Sequence, residues 1–354
     1  MRKLLIHLLF FVAAFALNVS EGGDFRLYQI GNSHTFDSLP RDGLPDLFAS
    51  AGTTLTNGWH IRCSRPLSYI SNNPEDTCVD PNSFGTWDVA LAESRWDALT
   101  LQSHTGAVGV GEINAVAAIV SALPSQFSTR VLLYVNWPSI ADREFKVSWE
   151  SRYERETQAV LQSYQYFVWL FKRMQDANLG NHSVDYVPIG EVLYELDTRF
   201  RLGEYPPFSM AEDLYRDDLH LNNVGRYIIG LTMLAKLMDY DVRRLGLPPA
   251  RYNQATLNFH AIDLPLADYL QEVVWSVVQR DPFAPSSVPM ATQVIPMADG
   301  VHFSVESYLG YKYIVLDSVD LTNWSVRQFM VEGNGAPFEL VDDVPSKFYQ
   351  VIRF

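Results

Sequence analysis

The sequence has few cysteines and far fewer basic than acidic residues. Two of its 354 residues are cysteine, and 27 lysines and arginines stand against 41 aspartates and glutamates, which gives a formal net charge of −14. If the amino-terminal segment that contains Arg2 and Lys3 were removed, the net charge of the remaining chain would be −16. Because this excess repels phosphate backbones and no basic cluster offsets it, we expect no nucleic-acid partner.

Local spacings typical of metal ligands are also missing. The two cysteines and eight histidines form no Cys-x-x-Cys or His-x-x-x-His pattern of the kind that zinc sites use. We therefore expect no metal and no other cofactor. The chain also lacks a low-complexity tract and a repeat period, which argues against fibrous and solenoid architectures.

The one long apolar run lies at the amino terminus. Arg2-Lys3 gives a positive end, residues 4–17 are apolar except for a histidine, and Ala14-Phe15-Ala16 places small residues as a signal peptidase requires. No other stretch reaches the roughly 18 apolar residues of a membrane span. We expect residues 1–20 to be the signal peptide of a secreted or periplasmic protein without stable membrane insertion. An uncleaved amino-terminal anchor is the alternative.

Residues 24–280 show the pattern of one α/β domain. Short apolar runs such as "WDALTLQ" and "RVLLYVN" alternate with helical patterns, and one long helix is predicted over Trp149–Met174. Buried runs of strand length between helices favour a three-layer α/β/α fold with a parallel sheet. Residues 281–291 are rich in proline and serine and are predicted to be a linker. The alternating, β-rich residues 292–354 are predicted to form a small all-β domain.

Cys63 and Cys78 are candidates for a disulfide. An even number of cysteines at short separation in an exported protein favours pairing, which would stabilise the chain by roughly 3 kcal/mol. Two unpaired thiols are the alternative.

Ser33 lies in "RLYQIGNSHTFDSLP", directly after the first predicted strand. In a doubly wound sheet, ligands bind beyond the carboxyl ends of the strands, which is where a nucleophile would stand. Serine is also favoured as a helix N-cap for reasons unrelated to catalysis. Both interpretations are open from this stretch alone.

A second block, "YRDDLHLNNVGRYIIG", contains Asp217 and His220 just before a helical pattern. A serine nucleophile needs a base for its proton, and the base needs an acceptor that fixes its tautomer. An Asp-x-x-His turn can supply both groups. Asp218 is also present, but its spacing to His220 is less favourable.

Together, Gly31-Asn32-Ser33 and Asp217–His220, followed by Asn222-Asn223-Val224-Gly225, resemble the motifs of the SGNH (GDSL-like) hydrolase superfamily. The resemblance covers roughly residues 24–247. It implies a flavodoxin-like α/β/α fold and a serine esterase with Ser33 as nucleophile, His220 as base and Asp217 as its partner. Gln102 and the dipeptide Trp137-Pro138, which follows Asn136, resemble residues of sialate-O-acetylesterase-like and other carbohydrate esterase branches.

The resemblance also implies an oxyanion hole, for which this sequence departs from the usual motifs. The family places a glycine after the second strand, where this chain has Arg62-Cys63, so the Cys63 N–H is the candidate donor. After the third strand Gln102 replaces the usual asparagine, and Asn136 is a further candidate. Gln102 could equally be a strand-end residue bonded to a loop.

Other residues are candidates for substrate contact. His34 and His104 each follow a candidate catalytic strand end, and Arg62 and Arg65 could hold a carboxylate or sulfate. Structural roles are the alternative for all four. The histidines could in principle join Asp217 in a metal site, but a serine mechanism needs none. Of the large aromatic residues, Trp59, Trp137 and Trp149 could stack on sugars or belong to the core.

The carboxy-terminal residues resemble a small β-sandwich module that recurs in secreted bacterial proteins. Its marks are Tyr313-Ile314-Val315, "DSVDLTNW" and "SKFYQVIRF". We therefore expect a secreted bacterial esterase acting on O-acyl groups, with O-acetyl groups favoured, of a carbohydrate or another small ester. The alternatives are a lipid or aryl ester hydrolase or acyltransferase with the same triad, and a non-catalytic glycan-binding protein on a degenerate scaffold.

Overall fold

A computed structural model describes residues 23–104, 109–151 and 162–280, together with six strands between residues 292 and 353. The predicted signal peptide, residues 1–20, and the predicted linker, residues 281–291, lie outside the described residues.

The first five strands form one parallel sheet. They are β1 (Asp24–Gly31), β2 (Thr54–Ile61), β3 (Ala98–Gln102), β4 (Arg130–Tyr134) and β5 (Ser183–Val187). Their order in the sheet is β2-β1-β3-β4-β5, and every neighbouring pair is parallel. All five residues of β3 are buried, so helices cover both of its faces. The predicted α/β class with a parallel sheet is confirmed.

Ten helices accompany the strands in the described part of the chain. They are α1 (Ser33–Phe36), α2 (Gly43–Ser50), α3 (Leu67–Asn72), α4 (Trp87–Glu93), α5 (Gly109–Val120), α6 (Phe145–Trp149), α7 (Tyr164–Asp176), α8 (Ile189–Arg201), α9 (Asn223–Met238) and α10 (Leu264–Arg280). Helix α5 contacts α3 and α7, and helix α9 contacts α2, α8 and α10. Helix α9 buries most of its apolar residues, so it is the centre of the group that it forms with α2, α8 and α10.

The single long helix predicted over Trp149–Met174 is wrong. Helix α6 ends at Trp149, and α7 begins only at Tyr164. The Ser163 side chain accepts a hydrogen bond from the Tyr166 N–H, so it caps a new helix. An apolar pattern on both sides of this start concealed the interruption.

Beyond residue 291 the described residues form β6 (Thr292–Met297), β7 (Gly300–Val305), β8 (Lys312–Ser318), β9 (Ser325–Glu332), β10 (Phe338–Asp342) and β11 (Phe348–Arg353). They pair as two three-stranded antiparallel sheets, in the orders β10-β7-β6 and β11-β8-β9. The small β-sandwich domain over residues 292–354 stays a prediction.

The strand order creates a switch point, at which the chain connections reverse direction across the sheet. Strand β1 lies between β2 and β3, and the chain leaves β1 and β3 toward opposite sides of the sheet order. Ligands bind at such a switch point, outside the carboxyl ends of the strands. The segments that begin at Asn32 and at Ser103 follow these two strand ends.

A buried carboxylate, Asp37, joins the segment after β1 to residues almost two hundred positions later. Its Oδ1 accepts hydrogen bonds from the guanidinium groups of Arg216 (2.8 Å) and Arg226 (3.0 and 3.2 Å). Its Oδ2 accepts one from the Leu221 N–H at 3.1 Å. Asp37 is completely buried, whereas both arginines are partly exposed. The three donors fix helix α1 against the block that contains Asp217 and His220.

We expect Asp37→Asn to lower the free energy of unfolding by about 3 kcal/mol, because two partly buried arginines lose their counter-charge. Urea unfolding followed by circular dichroism would measure this. Asp46→Asn, an equal change of charge at an exposed position of α2, is the control and should change stability by no more than about 0.5 kcal/mol. Equal stability of the two variants would contradict a structural role for Asp37.

Candidate active site

Ser33 is the first residue of helix α1, and Asn32 is the residue that caps this helix. The Asn32 Oδ1 accepts a hydrogen bond from the His34 N–H at 3.1 Å. Ser33 is partly exposed, while Asn32 and His34 on either side of it are buried. The interpretation of Ser33 as the N-cap is therefore wrong, and its hydroxyl is not needed for capping.

Gln102 at the end of β3 holds this turn in place. Its Oε1 accepts hydrogen bonds from the Asn32 N–H (2.8 Å) and the Thr35 hydroxyl (3.2 Å). A β-carbon at Gly31 would lie 2.7 Å from the same Oε1, so only glycine allows this close approach. The glycine of the Gly-Asn-Ser motif thus serves the contact between β1 and β3.

The orientation of Gln102 differs from the predicted oxyanion role. Its Nε2 donates to the Ser103 carbonyl, and the whole side chain is buried. Because the Asn32 N–H requires an acceptor, the amide oxygen must face the Ser33 turn. The structure thus corresponds to the alternative interpretation, in which Gln102 is a strand-end residue bonded to a loop.

Asp217 and His220 form a compact pair three residues apart. The His220 Nδ1 lies 3.0 Å from both carboxylate oxygens of Asp217. Asp217 Oδ1 also accepts from the N–H groups of Leu219 (2.9 Å) and His220 (2.8 Å). Partial burial acts in the opposite direction, but these backbone donors and the imidazole hold the pKa of Asp217 below its ordinary value. The carboxylate therefore stays ionised and can accept a hydrogen bond from the Nδ1–H group of His220.

The loop after β4 supports this acid–base block from one side. The Trp137 Nε1 donates to the Leu219 carbonyl at 2.8 Å, and the Ile140 N–H donates to the Asp218 carbonyl at 2.8 Å. The chain then enters α9, whose cap Asn222 accepts from the Val224 and Gly225 N–H groups. These bonds fix the backbone on both sides of His220.

His34 brings the two blocks together. Its ring stacks on Trp137 with centroids 4.5 Å apart and planes 9° apart, and it meets the His220 ring at 6.0 Å in an edge-to-face arrangement. The Asn136 Nδ2 lies 2.7 Å from the His34 Nδ1. The structure therefore brings the His220 ring to the residue that follows Ser33. It also directs the Asn136 amide to His34, which differs from the predicted oxyanion role of Asn136.

Burial keeps His34 neutral. Desolvation lowers the pKa of His34 well below the ordinary value, and the neighbouring His220 and His104 act in the same direction. A neutral imidazole carries one N–H proton. Because the Asn136 amide donates to Nδ1, that proton lies on Nε2.

Cys63 and Cys78 form a disulfide with a Cα–Cα distance of 5.7 Å. The Cys63 N–H lies 2.7 Å from the Cys78 Sγ, so it is not directed to the cleft as the predicted oxyanion donor would be. The next residue, Ser64, has φ 57°, in the left-handed region that favours glycine. The backbone turn for which a glycine is expected is thus made by a serine, one position after Cys63.

The other candidates for substrate contact, Arg62, Arg65 and His104, differ in exposure and in their partners. Arg62 Nε forms an ion pair with Asp76 at 2.7 Å, whereas Arg65 is exposed and its guanidinium stacks on Tyr69. His104 is half-buried, and burial followed by the charge of Arg65 lowers its pKa.

The three tryptophans considered for sugar stacking, Trp59, Trp137 and Trp149, are all buried and belong to the core. Within the described ranges, no group of three or more histidine, cysteine or acidic residues is arranged to hold a metal ion. Every helix in the described part of the chain is too short or too polar to span a bilayer.

We expect the His34 ring to remain neutral, with the proton on Nε2, at the pH of about 6.5 at which an ordinary histidine is half protonated, because burial penalises its charged form. Nitrogen-15 NMR of the histidine rings, assigned with His34→Gln, would measure tautomer and charge. A titration midpoint near the ordinary histidine value of about 6.5 would contradict the buried, neutral assignment.

Comparison with known proteins gives one informative likeness. No family model matches the chain, and no curated protein matches it. The crystal structure of a DUF4886 family protein from Bacteroides uniformis ATCC 8492 is similar, with a TM-score of 0.51 and 18% sequence identity. The match covers 75% of this chain and 98% of that one. At this identity the likeness concerns the fold alone, and it is compatible with the parallel α/β architecture described above.

Proposed function

We propose that the protein is a secreted serine esterase of the SGNH type, with a three-layer α/β/α catalytic domain, that hydrolyses O-acyl esters. The observation that carries this proposal is the His220–Asp217 pair at 3.0 Å, in a block that Asp37 ties to the helix beginning at Ser33. A partly exposed serine, a histidine and an ionised carboxylate at a topological switch point are the groups that acyl transfer requires.

In the first half of the proposed reaction, the Ser33 Oγ attacks the ester carbonyl carbon while its proton passes to the His220 Nε2. Asp217 accepts a hydrogen bond from the Nδ1–H group and stabilises the imidazolium without taking its proton. The tetrahedral intermediate then collapses, the bond to the alcohol oxygen breaks, and that oxygen takes the proton from Nε2. The products of this half are the free alcohol and an acyl group on Ser33.

Water completes the cycle. It gives one proton to the His220 Nε2 as its oxygen attacks the acyl carbon, and the second tetrahedral intermediate releases the carboxylic acid. Ser33 recovers its proton from His220. We assign the Ser33 N–H to the oxyanion, since the first N–H of a helix has no intrahelical acceptor, and such a donor can contribute roughly 3 kcal/mol.

The substrate part of the proposal is an O-acetylated carbohydrate. It rests on the resemblance of the motifs at Ser33, Gln102 and Trp137 to carbohydrate esterases, and on the predicted signal peptide. Longer acyl chains or a lipid ester would be processed by the same three residues, so the acyl group must be identified by assay.

Ser33→Ala should reduce hydrolysis of an aryl acetate by at least about 10³-fold, because the nucleophile is lost while the cap at Asn32 remains. The fold should be unchanged by circular dichroism. A serine-directed phosphonate should label the unmutated protein at Ser33 and leave the variant unlabelled. If the unmutated protein neither hydrolyses the ester nor reacts with the phosphonate, the esterase proposal fails. Faster hydrolysis of long-chain than of acetyl esters would contradict only its acetyl part.

Asp217→Asn should lower kcat by on the order of 10³-fold, because an amide cannot stabilise the imidazolium and favours the wrong tautomer of His220. Asp218→Asn is the matched control, since it removes the same charge from the next residue, which is exposed. The control should change kcat by no more than about twofold. Equal losses in the two variants would show that Asp217 has no special role.

A further inference from the structure

The loop closed by the disulfide lies directly beside the Ser33 turn and is held there. The Asn32 Nδ2 donates to the Arg65 carbonyl at 3.4 Å. The buried Glu112 of α5 accepts hydrogen bonds from the Leu67 and Ser68 N–H groups at 3.3 and 3.0 Å, at the start of α3. Together with the disulfide, these contacts give residues 63–78 a fixed position relative to the proposed nucleophile.

Arg65 belongs to this loop and carries a positive charge. Among the described residues, no carboxylate lies within 4.0 Å of its guanidinium group. Its Cζ lies 4.6 Å from the centre of the Tyr69 ring, and the side chain is exposed. The acid nearest to this stack, Asp76, has the Tyr69 hydroxyl as a donor at 2.8 Å and Arg62 as its ion-pair partner at 2.7 Å. One oxygen, Oδ2, serves both contacts, so Asp76 is engaged by Arg62 and Tyr69.

The Arg65 end of the loop is the end that adjoins the Ser33 turn, because the Arg65 carbonyl accepts the hydrogen bond from the Asn32 side chain. The charge of Arg65 lowers the pKa of His104, after burial, and His104 in turn acts on His34, which touches the His220 ring. Burial disfavours the charged form of both histidines, so the Arg65 guanidinium carries the positive charge of this group. An exposed guanidinium beside the Ser33 turn, without an ion-pair partner among the described residues, is available to an anionic ligand.

We propose that Arg65, stacked on Tyr69, is an anion-binding subsite, so that the ester hydrolysed at Ser33 carries a carboxylate or sulfate group. This inference rests on the proposed esterase function and specifies the class of its substrate. A guanidinium can donate two parallel hydrogen bonds to either anion, and stacking restricts its rotamers before the ligand arrives. The Arg62 guanidinium is excluded from this role by its ion pair with Asp76.

The test compares two esters that differ only in charge, para-acetoxybenzoate and para-acetoxybenzamide. The unmutated protein should have a kcat/KM about 10-fold higher for the anion, as expected for one charge-assisted contact. Arg65→Gln should reduce this preference to nearly equal rates, and Arg65→Lys should keep only part of it. Salt at about 1 M should weaken the preference, because the site is exposed.

Arg95→Gln is the matched control. Arg95 is also exposed and also stacks on an aromatic ring, that of Phe127 at 5.4 Å, but it precedes β3 at the opposite end of the sheet. The Arg95→Gln substitution removes the same charge as Arg65→Gln and should leave the anion preference unchanged. An unmutated protein without preference, or a preference that both glutamine variants reduce equally, would overturn the inference.

A binding measurement separates this inference from the esterase proposal. Calorimetric or NMR titration with para-hydroxybenzoate and para-hydroxybenzamide requires no turnover. Tighter binding of the anion that Arg65→Gln abolishes supports the subsite, even if neither ester is hydrolysed and the esterase proposal fails. Equal binding of the two compounds contradicts the subsite, even if both esters are hydrolysed.

Discussion

The arrangement of the site depends on one buried carboxylate. Asp37 accepts from two arginines and a backbone N–H, all supplied by a segment about 180 residues further along the chain. A buried negative charge is costly without such partners, so the fold depends on these bonds. By satisfying Asp37, the fold places the Asp217–His220 block against helix α1. The stacking of His34 on Trp137 then adds a second contact between the same two segments.

The sequence predicts the parallel sheet better than it predicts the residues that support the site. Strand β4 is a compact, β-rich run, and its bounds follow almost directly from the apolar pattern. Ser33, Asp217 and His220 stand in short motifs that predict the roles proposed for them. Asp37 carries no such signal, because its partners become neighbours only through the fold.

The predicted oxyanion donors show a different limit. Gln102 and Asn136 do lie at the carboxyl ends of strands, as their positions predict, but the direction of a side-chain amide depends on which neighbour needs an acceptor. The left-handed turn after β2 was also hidden, since Ser64 adopts a conformation that is usually assigned to glycine. Position along the chain thus locates a polar group, whereas its role is decided by contacts between segments.

The separation between Asp37 and its partners also has a kinetic meaning. A contact that spans 179 residues loses more chain entropy on loop closure than local contacts do, so we expect it to form after the local helices. A partly folded chain could contain the complete sheet and still lack the arrangement of His220 next to the Ser33 turn. We therefore expect this arrangement to appear late in folding, after the helices that it joins.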